Sequence, residues 1–250
     1  MSASLTEPSP PPANADQLPA AVAEHEHDPD VAHHFQSWDQ QREAHSLGMW
    51  LFLAQEVMFF GGLFTAYGAY CFLYSDAFHA ASTVMYLGPG IVNTIILLLS
   101  SFSMAMAVYY AQVGKYREIT LALITTLVLG VVFLGVKWVF EYSPKIEHGL
   151  WPGANFHVDA SYYPQLAAFV GGSPEALGEL QIFFILYYLM TGMHALHMII
   201  GFGILAVMIV MSLQKQFTPR GYAGVENFGL YWHFVDIVWV FLFPLFYLIH

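Results

Sequence analysis

Charged residues are scarce in this sequence. Only 10% of its 250 residues are Asp, Glu, Lys or Arg, whereas roughly a quarter of the residues of an ordinary soluble domain are charged. Apolar residues make up 57% of the chain, and the mean hydropathy is +0.54. This composition argues against a soluble enzyme and favours a protein solvated by lipid.

Basic residues and cysteine are scarcer still. The seven Lys and Arg side chains lie mainly in short polar flanks and form no basic surface for phosphates, which argues against nucleic-acid binding. The single cysteine, Cys71, can form no internal disulfide and no cysteine-based metal cage. Much of the net charge of −11 comes from residues 1–46, which hold eight acids against one base, Arg42.

The start of the chain differs in composition from the rest. We expect residues 1–40 to form a disordered, acidic, Pro-rich cytoplasmic tail without a cleaved signal, and residues 41–250 to form the membrane domain. Four histidines in the tail lack the regular spacing that holds a metal geometry, so a solvated tail is the simpler interpretation. These histidines are His25, His27, His33 and His34.

Five long apolar segments follow the tail. They lie at about 47–74, 90–113, 118–142, 179–212 and 229–249. A helix of about 20 residues crosses the roughly 30 Å hydrocarbon core of a bilayer, and none of the segments alternates as a barrel strand does. The sequence therefore predicts an all-α integral membrane protein, a bundle of five transmembrane helices.

The distribution of bases between the loops predicts the orientation of the chain. Bases outside the spans favour the cytoplasmic side, so the N-terminus is predicted to be cytoplasmic and the C-terminus periplasmic or extracellular. The bases on the predicted cytoplasmic side are Arg42, Lys115, Arg117, Lys215 and Arg220, against Lys145 on the other side.

Ionisable side chains inside the spans are the candidate functional residues, because each costs about 2.5–3.5 kcal/mol at the centre of a membrane helix. The predicted buried polar network consists of Glu56 in span one, His194 and His197 in span four, and His233 and Asp236 in span five. Both pairs are spaced i, i+3, which places each pair on one helix face.

Span three ends with Lys137 and Glu141. Their i, i+4 spacing predicts an interfacial ion pair.

The polar residues alone leave three interpretations open. Three histidines and a carboxylate could form a non-haem metal site. A transporter would need broken helices, internal repeats and a polar pathway. The five spans contain no internal repeat. The third interpretation, hydrogen bonds between helices, is the one that the residues favour. It predicts no metal ligand and no catalytic residue in this chain.

Three sequence strings carry a specific resemblance. They are YWHFVDIVW at residues 231–239, QEVMFFG at 55–61 and GMHALHMIIG at 192–201. In order and spacing they resemble the last helix, the glutamate-bearing helix and the penultimate helix of subunit III of the haem-copper respiratory oxidases. The resemblance extends over about residues 40–250. The longer members of this family have seven helices, and this chain resembles the five-helix form.

The resemblance implies a subunit without a redox centre that packs beside the catalytic subunit I. That partner carries the haems and copper and pumps protons while dioxygen is reduced to water. Subunit III is expected to steady subunit I and to support proton uptake, which makes this chain part of an enzyme but not its catalyst. The resemblance also allows bound phospholipid and contacts with other oxidase subunits.

Two questions about the complex stay open at this point. Glu56 stands where quinol-oxidising relatives often have aspartate, which favours cytochrome c as the electron donor, with quinol as the alternative. A proton-coupled transporter is the alternative from a different class. The acidic, Pro-rich tail has no Arg in residues 1–40, unlike an Arg-rich and acid-poor transit peptide, so the bacterial inner membrane is the expected location.

Overall fold

The structure, a computed structural model, describes residues 38–215, 217 and 222–248. These residues are helical with turns between the helices, and they contain no strand. The predicted tail lies outside the described residues apart from its last three positions. The chain divides after Gln41 into two units, and Trp38–Gln41 of the first unit form the start of the first helix.

Eight α-helices and one π-helical turn make up the described part of the chain. They are α1 (Trp38–Leu73), α2 (Ser75–Ser82), α3 (Leu87–Val113), α4 (Tyr116–Lys137), the π-turn (Trp138–Tyr142), α5 (Ser143–Glu147), α6 (Pro164–Val170), α7 (Pro174–Leu213) and α8 (Ala223–Tyr247). Five helical stretches are long and apolar enough to cross a membrane: α1, α3, α4 continued through the π-turn and α5, α7, and α8. The predicted bundle of five transmembrane helices is confirmed.

A single turn joins α3 to α4. Gly114 takes the left-handed conformation with φ of 75°, which glycine adopts without steric cost. The Lys115 N–H then donates to the Tyr110 carbonyl at 3.0 Å, so that the chain reverses and α4 runs back along α3. This reversal gives the most extensive helix pair of the bundle.

Four helices pack in a closed ring in the order α3, α4, α7 and α8. The apolar part of α8 is half buried, the largest share among the five spans. The contact between α7 and α8 depends on Gly201, because a Cβ atom there would lie 2.8 Å from the indole ring of Trp232. Glycine is thus what allows the two helices to approach closely.

Helix α1 packs on the ring through aromatic side chains. Phe60 contacts Phe234 of α8 and the His197 ring of α7, with ring centroids 6.1 and 5.5 Å apart. Tyr67 donates a hydrogen bond to the Leu245 carbonyl at 2.8 Å. Only 6% of the apolar part of α1 is buried, so its outer face is free to meet lipid or another protein.

Candidate functional site

A carboxyl–imidazole pair joins α1 to α7. Glu56 Oε2 lies 3.2 Å from His197 Nε2, and both side chains are about nine-tenths buried. On the other side of the ring, His197 Nδ1 lies 2.8 Å from the carbonyl of Met193, one turn earlier in α7. The Tyr231 hydroxyl donates to the carbonyl of His197 itself at 2.8 Å, which adds α8 to this contact.

The hydrogen bonds of His197 fix where its protons lie. A carbonyl can only accept, so Nδ1 carries a proton and donates it to Met193. In the neutral ring Nε2 is then an acceptor for a protonated Glu56, and in the charged ring it is a donor to an ionised Glu56. In the structure the two atoms lie 3.2 Å apart, but Oε2 makes no well-formed hydrogen bond to a described residue. A small rotation of either side chain would let one proton bridge Nε2 and Oε2 and leave the pair electrically neutral.

His194 is buried separately from His197. Its ring is 1% exposed and lies against Phe133 and Trp239, with centroids 5.6 and 5.4 Å away. It hydrogen-bonds the backbone of Val235 in α8, while its Nε2 has no partner among the described residues. The ring thus packs α7 against α4 and α8, away from Glu56.

The two polar residues of α8 meet α3. The Ser101 hydroxyl lies 2.7 Å from His233 Nδ1 and also faces Asp236. Neither carboxyl oxygen of Asp236 makes a well-formed hydrogen bond to a described residue, although the side chain is buried. One hydroxyl proton can satisfy only one of these neighbours at a time, so the Ser101–His233–Asp236 group retains unused hydrogen-bonding capacity.

Lys137 and Glu141 form an ion pair deep inside the protein. Lys137 Nζ lies 2.6 Å from Glu141 Oε2, and the two side chains are 4% and 0% exposed. The same carboxyl oxygen accepts from the hydroxyls of Tyr187, at 2.7 Å, and Tyr247. Lys137 also donates to the Tyr247 hydroxyl at 2.8 Å. The pair therefore ties the end of α4 to α7 and α8.

A second lysine lies one turn further on. Lys145 is fully buried, and its ammonium makes no hydrogen bond to a described residue. The ammonium lies 5.6 Å from the ring centres of both Tyr86 and Tyr187, within the distance at which an aromatic face attracts a cation. Glu141 thus lies between two buried lysines, and we call these three residues with Tyr187 and Tyr247 the buried ionic cluster.

The segment between α5 and α6, residues 148–163, which we call the cap, is held by polar contacts of its own. Asp159 accepts from the Ser161 hydroxyl at 2.6 Å and the Ser161 N–H at 2.9 Å, and lies 3.1 Å from His148 Nδ1. The hydrogen bonds from Ser161 and His148 lower the pKa of Asp159 to about 2. Tyr86 and Tyr162 bond through their hydroxyls at 3.2 Å, and this bond raises the pKa of Tyr86 to about 12.

No group of three metal-ligating side chains converges within the part of the chain that the structure describes. The structure divides the five residues of the predicted network into three places: Glu56 with His197, His194 among aromatic rings, and His233 with Asp236 beside Ser101. Sequence reasoning missed Lys145, Tyr187 and Tyr247 as partners of the ion pair. The i, i+4, i+8 spacing of Lys137, Glu141 and Lys145 was the available signal.

Comparison with known proteins gives a consistent result. The family model described as "Cytochrome c oxidase subunit III" matches residues 179–250. "Cytochrome c oxidase subunit 3" of Corynebacterium diphtheriae is 29% identical over 206 residues, which cover 82% of this chain and 87% of that protein. "Probable quinol oxidase subunit 3" of Staphylococcus haemolyticus is 24% identical over 207 residues, covering 83% and 90%.

A third relative is longer. "Heme-copper oxidase subunit I+III" of Aeropyrum pernix is 29% identical over 218 residues, which cover 85% of this chain and 23% of that protein. The chain thus spans about a quarter of this fusion protein. Two of the strings that suggested the family, at residues 192–201 and 231–239, fall within the residues matched by the family model. On these matches the chain is similar, over most of its length, to subunit III of the haem-copper oxidases.

Proposed function

We propose that this chain is the non-redox subunit III of a proton-pumping cytochrome c oxidase, where it supports subunit I and proton uptake during reduction of dioxygen to water. The Glu56–His197 contact of 3.2 Å is the observation that carries the proposal. It joins two of the strings that resemble the family, and it places a protonatable pair inside the membrane domain, where the described residues form no metal-ligand set beside it.

Subunit I is the proposed main partner. The Aeropyrum relative is named as subunits I and III together, and two chains fused in one polypeptide are held near each other. The outer face of α1 offers a surface for a partner at membrane depth, since only 6% of its apolar part is buried within this chain.

Haems and copper belong to the partner subunits in this proposal, and this chain supplies no ligand to them. Other oxidase subunits and phospholipid complete its surroundings. The helices are proposed to lie in a bacterial inner membrane, with residues 1–40 as a cytoplasmic tail and the C-terminus on the outer side. The bases at the α3–α4 turn and after α7 support this orientation.

Cytochrome c is the proposed electron donor. The cytochrome c oxidase relative is 29% identical and the quinol oxidase relative 24% identical, and Glu56 stands where quinol-oxidising relatives often have aspartate. A quinol oxidase is the second candidate, because its subunit matches almost the same share of this chain.

Purification of the tagged full chain from its native membrane, in a mild detergent, tests the proposal. We expect subunit I to copurify and the complex to oxidise reduced cytochrome c at a higher rate than quinol. Asp236→Ala should lower the yield of subunit I, whereas Asp76→Ala, at an exposed position of α2, should not. Quinol oxidation alone would establish the second candidate. Absence of subunit I would contradict both.

A further inference from the structure

A groove lies between the start of α4 and the end of α7. Its volume is about 510 Å³. The Thr120 hydroxyl, which lines the groove, lies 2.8 Å from the Ser212 hydroxyl and fixes the two helices together at this point. The lining residues are Arg117, Glu118, Thr120, Leu121, Ile124 and Leu213.

One end of the groove carries a base and an acid side by side. Arg117 and Glu118 lie in the first turn of α4, and both side chains are exposed. Neither forms an ion pair with a described residue, in contrast to Lys137 and Glu141. A ligand can therefore meet both charges at once.

The rest of the groove is apolar and open. Leu121 is 67% exposed, Leu213 66% and Ile124 41%, and all three belong to membrane-spanning helices. Ile124 lies seven residues beyond Arg117, which corresponds to about 10 Å along the helix. The groove thus begins at the level of lipid headgroups and continues into the region of the acyl chains.

We propose that this groove binds a phospholipid with a zwitterionic headgroup that ends in a primary ammonium, namely phosphatidylethanolamine. Arg117 binds the phosphate, since guanidinium and phosphate form charge-assisted hydrogen bonds. Glu118 accepts from the ammonium, and one acyl chain lies along Leu121, Ile124 and Leu213. The paired charges match those of the headgroup and leave no net charge in the groove.

The acid next to the base gives the groove its selectivity. Phosphatidylglycerol carries the phosphate but no cation, so Glu118 would repel it. Phosphatidylcholine carries a quaternary ammonium, which has no N–H to donate to a carboxylate. Phosphatidylethanolamine alone among these three lipids satisfies both side chains.

Native mass spectrometry of the delipidated full chain in detergent tests the proposal, with dioleoyl-phosphatidylethanolamine, -phosphatidylglycerol and -phosphatidylcholine at equal concentrations. We expect phosphatidylethanolamine to bind most tightly. Arg117→Gln should weaken binding of all three lipids about two- to fivefold, the usual range for an exposed ion pair, because each loses its phosphate contact. Glu118→Gln should leave phosphatidylglycerol bound and lower the preference for phosphatidylethanolamine about two- to fivefold, the usual range for an exposed ion pair.

Lys115→Gln is the matched control, since Lys115 is an exposed base of the same turn that does not line the groove. It should bind all three lipids as the unaltered chain does, and circular dichroism should show equal helix content in all variants. Free phosphoethanolamine, which lacks acyl chains, should displace none of the bound lipid. Tighter binding of phosphatidylglycerol, or an Arg117→Gln variant that binds phosphatidylethanolamine unchanged, would overturn the proposal.

Discussion

Tyr187 donates a 2.7 Å hydrogen bond to Glu141, a carboxyl that lies between the ammonium groups of two buried lysines. Removing one member of a buried ion pair leaves a charge uncompensated, which typically costs about 3–5 kcal/mol. Glu141→Gln should therefore lower the free energy of unfolding of the chain by about this amount. Thermal unfolding in detergent, followed by circular dichroism, measures the change.

Glu147→Gln is the control for this variant. Glu147 lies two residues beyond Lys145 in α5, where it accepts only an exposed hydrogen bond from Ser143 at 2.8 Å. Its loss should change the stability by less than about 1 kcal/mol. Equal melting temperatures for the Glu141 and Glu147 variants would show that the buried ionic cluster does not stabilise the fold.

Glu56 gives a second prediction, because Glu56→Gln keeps a possible hydrogen-bond partner for His197 and Glu56→Ala removes it. Glu56→Gln keeps a side chain that can donate to His197 Nε2, so the contact between α1 and α7 should survive. Glu56→Ala leaves the imidazole buried with an unused nitrogen, at a cost of about 1–3 kcal/mol. The melting temperature should fall for the Ala variant and stay within experimental error for the Gln variant, whereas equal losses would rule out the hydrogen bond as the reason.

Two glycines of α7 form a natural pair for a third prediction. Gly201→Ala would place a Cβ atom 2.8 Å from the Trp232 ring, and such overpacking costs about 1–3 kcal/mol. Gly203→Ala meets nothing within 4 Å, and alanine favours a helix more than glycine does. The first variant should lower the melting temperature and the second should not. A Gly201 variant as stable as the Gly203 variant would contradict the close packing of α7 on α8.

The cap should weaken in acid. The pKa of Asp159 is lowered to about 2 by its hydrogen bonds, below the value near 3.9 expected in an unfolded chain. The ionised carboxyl therefore stabilises the fold fully above about pH 4, and this contribution is lost as the pH falls towards 2. The difference in melting temperature between the unaltered chain and Asp159→Asn should shrink over this range. A difference in melting temperature that grows as the pH falls would contradict the lowered pKa of Asp159.

The sequence predicted the five spans because apolar length is a direct requirement of the bilayer. Two helices extend beyond the predicted apolar segments: α1 begins at Trp38, whereas its segment begins near 47, and α8 begins at Ala223, whereas its segment begins near 229. Apolar residues mark the part of a helix inside the membrane, whereas its polar turns outside are set by local backbone hydrogen bonds. The short helices α2 and α6 gave no apolar signal of comparable length.

The partners of the polar residues were harder to predict than the residues themselves. The i, i+3 spacing suggested one face for His194 and His197, yet α7 is packed on two sides, and the rings turn to different neighbours. The depth of the Lys137–Glu141 pair depends on Tyr187 and Tyr247, which come from α7 and α8. The sequence placed Lys145 in a loop on the side opposite the tail, but in the structure this side chain is fully buried.

Membership of an oxidase complex is the central claim, and a visible absorption spectrum tests it most directly. The complex purified through a tag on this chain should show reduced haem bands after addition of dithionite, with the haem in constant proportion to this chain. After dissociation of the complex, the separated chain should be colourless and free of stoichiometric copper or iron. A chain that purifies from its native membrane without haem, or one that retains a metal after separation, would contradict the account.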